Sequence, residues 1–447
     1  MSRATMGGAV AASTPVHRHP LLAACNLFLA APFFSNLPVP GLRRWSLRTL
    51  TLLALLMALG ESARLADRFT GARHLIQSWR LLPRAVGATY QGFVKALIRV
   101  SPRLLRAVAD HLRSQIPAVA GRHWMLGRWV PLGVDGSKFN LPRTAGLRQA
   151  FGASGKRGSA PQAYLTTILH LTTGLPWDAR MGRGDASERT HLRRMLHHLP
   201  EAALLIADAG FVGYELWSLL VQRRVHFLIR VGANVRLLRN LGYAVREYDG
   251  LVYLWPDQQR RAGRPPLVLR LLRLRDGDRE MTLVTNVLDA AQLTERQAQE
   301  YYRLRWGIEL WYRQLKQTAA RRQLASRAPA QATLELAWLV VGMALLGLLG
   351  VQDAVRRGND PLAHSPAGTL RVLRALAGRP QSRGGLRTLR RRLGSCVQDG
   401  YVRKAAKSRD RWAAKRGQSP PGRPRITLAT ATQVLAAAKL RCDFPAL

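Results

Sequence analysis

Between Tyr301 and Lys316 the sequence reads YYRLRWGIELWYRQLK. On an α-helix, at about 100° per residue, Tyr302, Arg305, Glu309 and Lys316 fall on a stripe roughly 60° wide, and Trp311 and Leu315 are left on other faces where they can pack. A solvated face would mix charges freely and would have no use for a Tyr at the head of such a stripe. The same residues admit a plainer reading, an i,i+4 ion pair between Arg305 and Glu309 on a solvated helix.

Those side chains need elements to position them. The pattern predicts one long helix from about Thr294 to Arg321, opened by Thr294 with Gln297 at the capping-box position. TLVTNVL (Thr282 to Leu288) before it reads as a buried strand. Further upstream, VPLGVDGSKFNLP (Val130 to Pro142) and AYLTTILHL (Ala163 to Leu171) are β-branched, apolar runs bounded by Gly and Pro, and LPWDARM (Leu175 to Met181) reads as a third strand. A helix from about Ser187 to Leu199 follows, then a short buried strand in ALLIADAGF (Ala203 to Phe211), a helix (Tyr214 to Gln222) and a strand (Val225 to Val231). This succession predicts an α/β domain whose central strands are covered on both faces.

Around that domain the character changes. From about Trp45 to Pro117, apolar residues recur at three- and four-residue spacing with basic residues between them, which predicts helices. Within this region Ser62 to Trp79 reads as short helices broken at Gly71; a helix-turn-helix-like DNA binder and a plain basic bundle both fit it. Gly232 to about Arg279 reads as short strands around Gly, Pro and Arg turns. An apolar helix is expected over Leu336 to Val351, just short of the ~18 residues that span a bilayer. It and the apolar runs at Pro20 to Phe34 and Leu50 to Leu59 are read as buried helices rather than membrane or export segments.

The chain of 447 residues carries 69 Lys+Arg against 26 Asp+Glu, a net charge of +43, which demands a polyanion nearby. Its 47% hydrophobic content excludes a disordered polycation. The cysteines, Cys25, Cys396 and Cys442, are far apart and in no CxxC or Cys/His spacing, which excludes a disulfide framework and a zinc finger and fits a reducing compartment. DNA, RNA and an acidic membrane surface are the partners such a charge suggests.

The spacing Y-x2-R-x3-E-x6-K, matched at all four positions, resembles the signature of a large group of bacterial insertion-sequence transposases of the DDE type. LVTNV (Leu283 to Val287) resembles that group's strand before the helix, and RWGIEL (Arg305 to Leu310) its most typical hexapeptide. Two aspartates complete the resemblance: Asp135 in GVDGSKF and Asp208 in LLIADAGF, in the family's order. By themselves they read as an Asp-Gly hairpin turn and as a turn or helix N-cap.

The resemblance implies an RNase H-like catalytic core in which Asp135, Asp208 and Glu309 are catalytic and hold two Mg2+ ions, with Mn2+ as a substitute. Carboxylate oxygen suits such hard cations. Tyr302, Arg305 and Lys316 then bind DNA phosphate, and Trp306 and Trp255 are candidates for base stacking or else for packing. The implied reaction is cleavage at insertion-sequence ends and strand transfer into target DNA. Its partners are double-stranded DNA (terminal inverted repeats and target) and a second copy in a homodimer. The expected location is cytoplasmic and nucleoid-associated, with no membrane.

The expected organisation is α/β: residues 1–44 loose, 45–125 a helical DNA-binding domain, 126–231 the first part of the core, 232–280 a β-rich insertion, 281–352 the second part of the core, and 353–447 a basic helical C-terminal region. Ala209 departs from the family, where many relatives have Arg after the second aspartate. Glu188, on the helix after the third strand, admits a metal role, but a solvated helix position is the preferred reading. A catalytically decayed, non-enzymatic DNA-binding protein and a membrane-associated polycation are the competing readings. Steep salt dependence without cleavage marks the first of these.

Overall fold

A computed structural model describes residues 19–39, 42, 44–82, 87, 89–152, 159–246, 248–276, 279–398 and 422–441. The N-terminal part is helical: α1 (Pro20–Phe28), α2 (Ala31–Ser35), α3 (Leu47–Leu59), α4 (Leu65–Ser78), α5 (Tyr90–Ser114) and α6 (Ile116–Ala120). The loose segment expected over 1–44 fails where it is described, because α1 and α2 bury Leu21, Leu22, Phe28 and Phe34 in the main core. Residues 1–18 lie outside the described residues. Nor is there a break at Gly71; α4 runs through it, since nothing crowds that position and one glycine costs a helix only about 1 kcal/mol.

The central part holds β1 (Val130–Asn140), α7 (Ala145–Phe151), β2 (Gln162–His170), β3 (Leu175–Arg183), α8 (Glu188–Met195), β4 (Ala203–Ala207), α9 (Tyr214–Gln222) and β5 (His226–Arg230). Antiparallel β1, β2 and β3 are joined by β4 and β5 running parallel to β1, in the order β3-β2-β1-β4-β5. That order and polarity are those of an RNase H-like sheet.

Beyond β5 come β6 (Arg236–Arg239), β7 (Leu251–Leu254), α10 (Asp257–Arg261), β8 (Leu267–Asp276) and β9 (Arg279–Thr285). These strands do not form a separate sheet. β9 pairs with β5, and β8, β7 and β6 continue outward, so one ten-stranded sheet runs through both regions. Its far edge is closed by a strand from the C-terminal region, β10 (Arg425–Leu428), which pairs parallel to β6.

Next come α11 (Glu295–Leu304), α12 (Trp306–Arg313), α13 (Pro329–Arg356), α14 (Pro366–Ala377), α15 (Gly385–Leu393) and, after β10, α16 (Ala431–Arg441). α13 has 28 residues where about 16 were expected, and is long and apolar enough to cross a membrane by length and composition alone. In this fold it is the central core helix, packed against α3, α5, α6 and β3, with 67% of its most apolar window buried. A ring of ion-paired and hydrogen-bonded groups ties it to its neighbours. Buried Glu335 accepts from the Ala325 and Ser326 amides (3.0 and 2.8 Å) and pairs with Arg68 of α4 at 3.5 Å. Arg321 donates to the carbonyls of Ala58 (3.3 Å) and Gly60 (2.6 Å) at the end of α3.

Candidate active site

Asp135 sits in the middle of β1, not in a hairpin turn: β1 continues unbroken to Asn140, with Asp135 opposite Thr167 of β2. Pairing with β2 over the full length of β1 overrides the local turn preference of Asp-Gly. Asp208 caps the turn that follows β4, and its Oδ1 accepts from the Gly210 amide at 2.8 Å. The β1–β4 register ends at Gly133 opposite Ile206 and, carried two residues on, brings Asp135 beside Asp208. Neighbouring strands are about 4.8 Å apart, so two carboxylates at matching register on adjacent strands must feel each other.

They do. Burial, together with the charges of Asp208 and Glu309, pushes the Asp135 carboxyl up to about 6, against the Gly136 amide that donates to its Oδ1 at 2.8 Å. Such a clustering of uncompensated hard oxygen donors is costly unless a cation joins it.

The predicted long helix is interrupted. α11 ends at Leu304, α12 begins at Trp306, and residues Gln314–Thr318 form a π-helical turn. π turns shift every later side chain around the axis and concentrate at functional sites. The stripe survives as a cluster. Arg305 Nη2 pairs with Glu309 Oε1 at 3.0 Å, and its guanidinium lies 5.7 Å from the centroid of the Tyr302 ring. Tyr302 is buried, and its hydroxyl has no hydrogen-bond partner among the described residues. Burial raises its pKa, and Asp208 adds to that rise. Lys316, on the π turn, donates to Ser137 Oγ at 2.7 Å, two residues along β1 from Asp135, and lies over the Phe139 ring. Burial lowers its pKa.

Tyr312 and Tyr164 escape the sequence-level reading, and Glu188 departs from its preferred one. Tyr312 is buried, and its hydroxyl proton is shared between the carbonyls of Asp135 (2.8 Å) and Leu165 (3.0 Å), which fastens α12 to β1 and β2. It falls three residues after Glu309 and four before Lys316, on the same stripe, and that spacing was the available signal. Glu188, expected in solvent, lies in the first turn of α8 against the two aspartates. Burial first, then Asp135 and Asp208, pushes its carboxyl up to about 7. Tyr164 of β2 donates its hydroxyl to Glu188 Oε1. Exposure depends on where α8 docks, which local sequence does not encode.

The two tryptophans separate. Trp306 is 58% exposed, whereas Trp255 is 4% exposed, packed with Leu241, Tyr253 and Ala437 and donating its indole N–H to the Arg264 carbonyl at 2.8 Å. Base stacking by Trp255 is therefore withdrawn; its apolar surroundings and satisfied N–H make it core. Among the described residues, no three His, Cys, Asp or Glu side chains are gathered tightly enough to hold a metal ion as they stand. Glu309 is occupied by Arg305, and the remaining acids, Asp135, Asp208 and Glu188, do not close on one point without a cation to draw them in. The donor set, carboxylate oxygens beside an orphaned buried hydroxyl, nevertheless fits a hard divalent cation and no soft one.

With this geometry in hand, similarity to known proteins can be placed. Residues 132–346 match the family described as the transposase DDE domain. The middle of the chain thus resembles a DDE-type transposase domain. Over 209 residues the chain is 30% identical to the transposase InsG of insertion sequence element IS4 from Escherichia coli (strain K12), covering 44% of this chain and 46% of that protein. Over 194 residues it is 26% identical to y4zB of Sinorhizobium fredii (strain NBRC 101917 / NGR234), also named as a transposase, covering 42% and 50%. The chain spans about half the length of the curated relatives it matches. A piggyBac transposase synaptic complex with hairpin DNA aligns over 88% of both chains at 10% identity with a TM-score of 0.44, too distant to carry an argument.

Proposed function

We propose that this protein is a DNA transposase of the Y-R-E-K pattern that cleaves the ends of an insertion sequence and joins them to target DNA. The observation that carries the reading is the convergence of Asp135, mid-way along β1, and Asp208, just past the end of neighbouring β4, with the α11–α12 cluster fastened over them by Tyr312.

In this reading Asp135, Asp208 and Glu309 hold two divalent cations, Mg2+ with Mn2+ as a substitute. Bound there, such ions activate the attacking oxygen and stabilise the leaving 3′ oxygen. Arg305 and Lys316 hold phosphate oxygens, and Tyr302, with the Arg305 guanidinium beside its ring, contacts the phosphate at the cut. Arrival of a phosphate gives Arg305 a second anion, so the guanidinium can leave Glu309 and release that carboxylate towards the other two. Trp306 stacks on an unpaired base at a hairpin-forming end in this reading, which its exposure on α12 supports. The net charge of +43 supplies the sequence-independent attraction to duplex DNA, and residues 45–125 and the basic C-terminal region are the surfaces proposed to supply it. Of the latter, residues 399–421 and 442–447 lie outside the described residues. A homodimer holding two ends, acting at the nucleoid in the cytoplasm, completes the proposal.

A pre-cleaved oligonucleotide of the DNA flanking the gene, incubated with Mg2+ and a target plasmid, tests it. Strand joining that Asp135→Ala abolishes is expected; joining that survives Asp135→Ala overturns the assignment.

A further inference from the structure

We propose that Glu188 is a fourth metal-holding carboxylate of this site, so that the cations are bound by four acidic side chains and not three. The inference rests on the active-site reading above. α8 packs against β1, β2, β3 and the turn after β4, which brings its first turn to the ends of both aspartate-bearing strands.

The two glycines next to the aspartates measure how close it comes. A Cβ at Gly210 would stand 3.0 Å from Asp208 Oδ1 and 3.3 Å from Glu188 Oε2. One point in space is therefore within reach of both carboxylates. At Gly136, the residue after Asp135, a Cβ would stand 2.8 Å from Glu188 Oε1. Glu188 is thus wedged between the two backbone segments that present Asp135 and Asp208, and both of its oxygens face them.

Its other contacts fix the carboxylate without neutralising it. Tyr164 donates to Oε1. Arg189, the nearest cation in sequence, is turned away and donates to the Val212 carbonyl at 2.9 Å. Neither it nor Lys138 pairs with Glu188 among the described residues. A second, independent feature points to a ligand: the hydroxyl of Tyr302, 7% exposed and near enough to Asp208 to feel its charge, has no hydrogen-bond partner among the described residues. A buried phenol left unsatisfied beside a carboxylate cluster is explained by something that arrives, such as a cation with its water or a phosphate. A carboxylate used only to accept from Tyr164 would have no reason to sit between Asp135 and Asp208, where it adds repulsion.

The test is Mn2+ binding to the full-length, DNA-free protein, read as free Mn2+ by electron paramagnetic resonance. Circular dichroism of each variant checks the fold. Glu188→Gln keeps the shape and the hydrogen-bond acceptor and is expected to weaken Mn2+ binding roughly tenfold or more, the loss usual for groups that hold or orient a metal ligand. Asp135→Asn is expected to do the same. Tyr164→Phe, which removes only the structural hydrogen bond, should leave binding close to that of the unmodified protein. If Asp135→Asn weakens binding and Glu188→Gln does not, the fourth-ligand inference is overturned and the three-acid site stands. If neither variant changes binding, or the unmodified protein binds no Mn2+ at millimolar concentration, the site reading fails and the inference with it. Should Tyr164→Phe weaken binding as much as Glu188→Gln, the effect of Glu188 is positional and direct ligation is refuted.

Discussion

Removing the charge of Asp135 should make the metal-free protein more stable. The carboxyl is raised from its ordinary 3.8 to about 6, chiefly by burial and secondarily by Asp208. The sign follows from linkage: the folded state binds the proton more tightly than the unfolded chain. The stability this contributes is therefore fully present below about pH 4 and is lost as pH rises through 6. At about 1.4 kcal/mol per unit, a charged Asp135 costs the fold at most about 3 kcal/mol above pH 6; relaxation and the partial exposure of the side chain bring the expected cost to about 1–2 kcal/mol. Asp135→Asn keeps the acceptor for the Gly136 amide and carries no charge. In EDTA at pH 8, urea unfolding should show it more stable than the unmodified protein by that amount, and the difference should vanish near pH 4. Added Mg2+ should reverse the order, since binding to the folded state alone stabilises only the protein with its carboxylates intact. A variant that is less stable in EDTA at pH 8, or a difference that ignores pH, would refute the reasoning.

Gly136→Ala should cost about 1–3 kcal/mol and abolish strand joining, because the new methyl meets Tyr164 and Glu188; a thermal melt and the joining assay check it. Glu335→Ala strands the buried Arg68 and two backbone amides, and should lower stability by about 3 kcal/mol or more in urea unfolding. Trp306→Ala, at an exposed position, should leave stability within about 0.5 kcal/mol but weaken binding to a hairpin-ended oligonucleotide by about 1–3 kcal/mol in a filter or fluorescence assay. Duplex binding by the unmodified protein should weaken steeply between 50 and 200 mM salt, the slope of log K against log salt giving about 0.9 per phosphate neutralised.

What could be read in the sequence was whatever short-range pattern encodes. The run ALLIA followed by Asp208, and the alternation that ends at Gln222 and Arg230, appear in the fold within a residue or two because apolar runs, caps and glycines are local signals. The site was legible through one helix, where spacing converts directly into a common face. What the sequence left hidden was non-local. The pairing of β10 with β6 joins segments nearly two hundred residues apart, and nothing in RITL announces it. The extension of the sheet through β9 and β5 is hidden for the same reason, whereas the burial of α13, though not its full length, was legible from its apolar run. Glu188 looked like a solvated first-turn acid because its neighbours are Ser, Arg and Thr; only the docking of α8 shows what it faces. The break at Arg305 and the π turn at Lys316 were missed because intrinsic propensity favours an unbroken helix there, and tertiary contacts such as Lys316 with Ser137 accompany the distortion.

The most direct measurement is a crystal of the protein with Mn2+ and an end oligonucleotide, with anomalous scattering locating the metal. Density between the carboxylates of Asp135 and Asp208, with Glu309 swung away from Arg305 to join it, is the predicted result. Manganese bound elsewhere, or Glu309 still paired with Arg305 while DNA occupies the site, would contradict it.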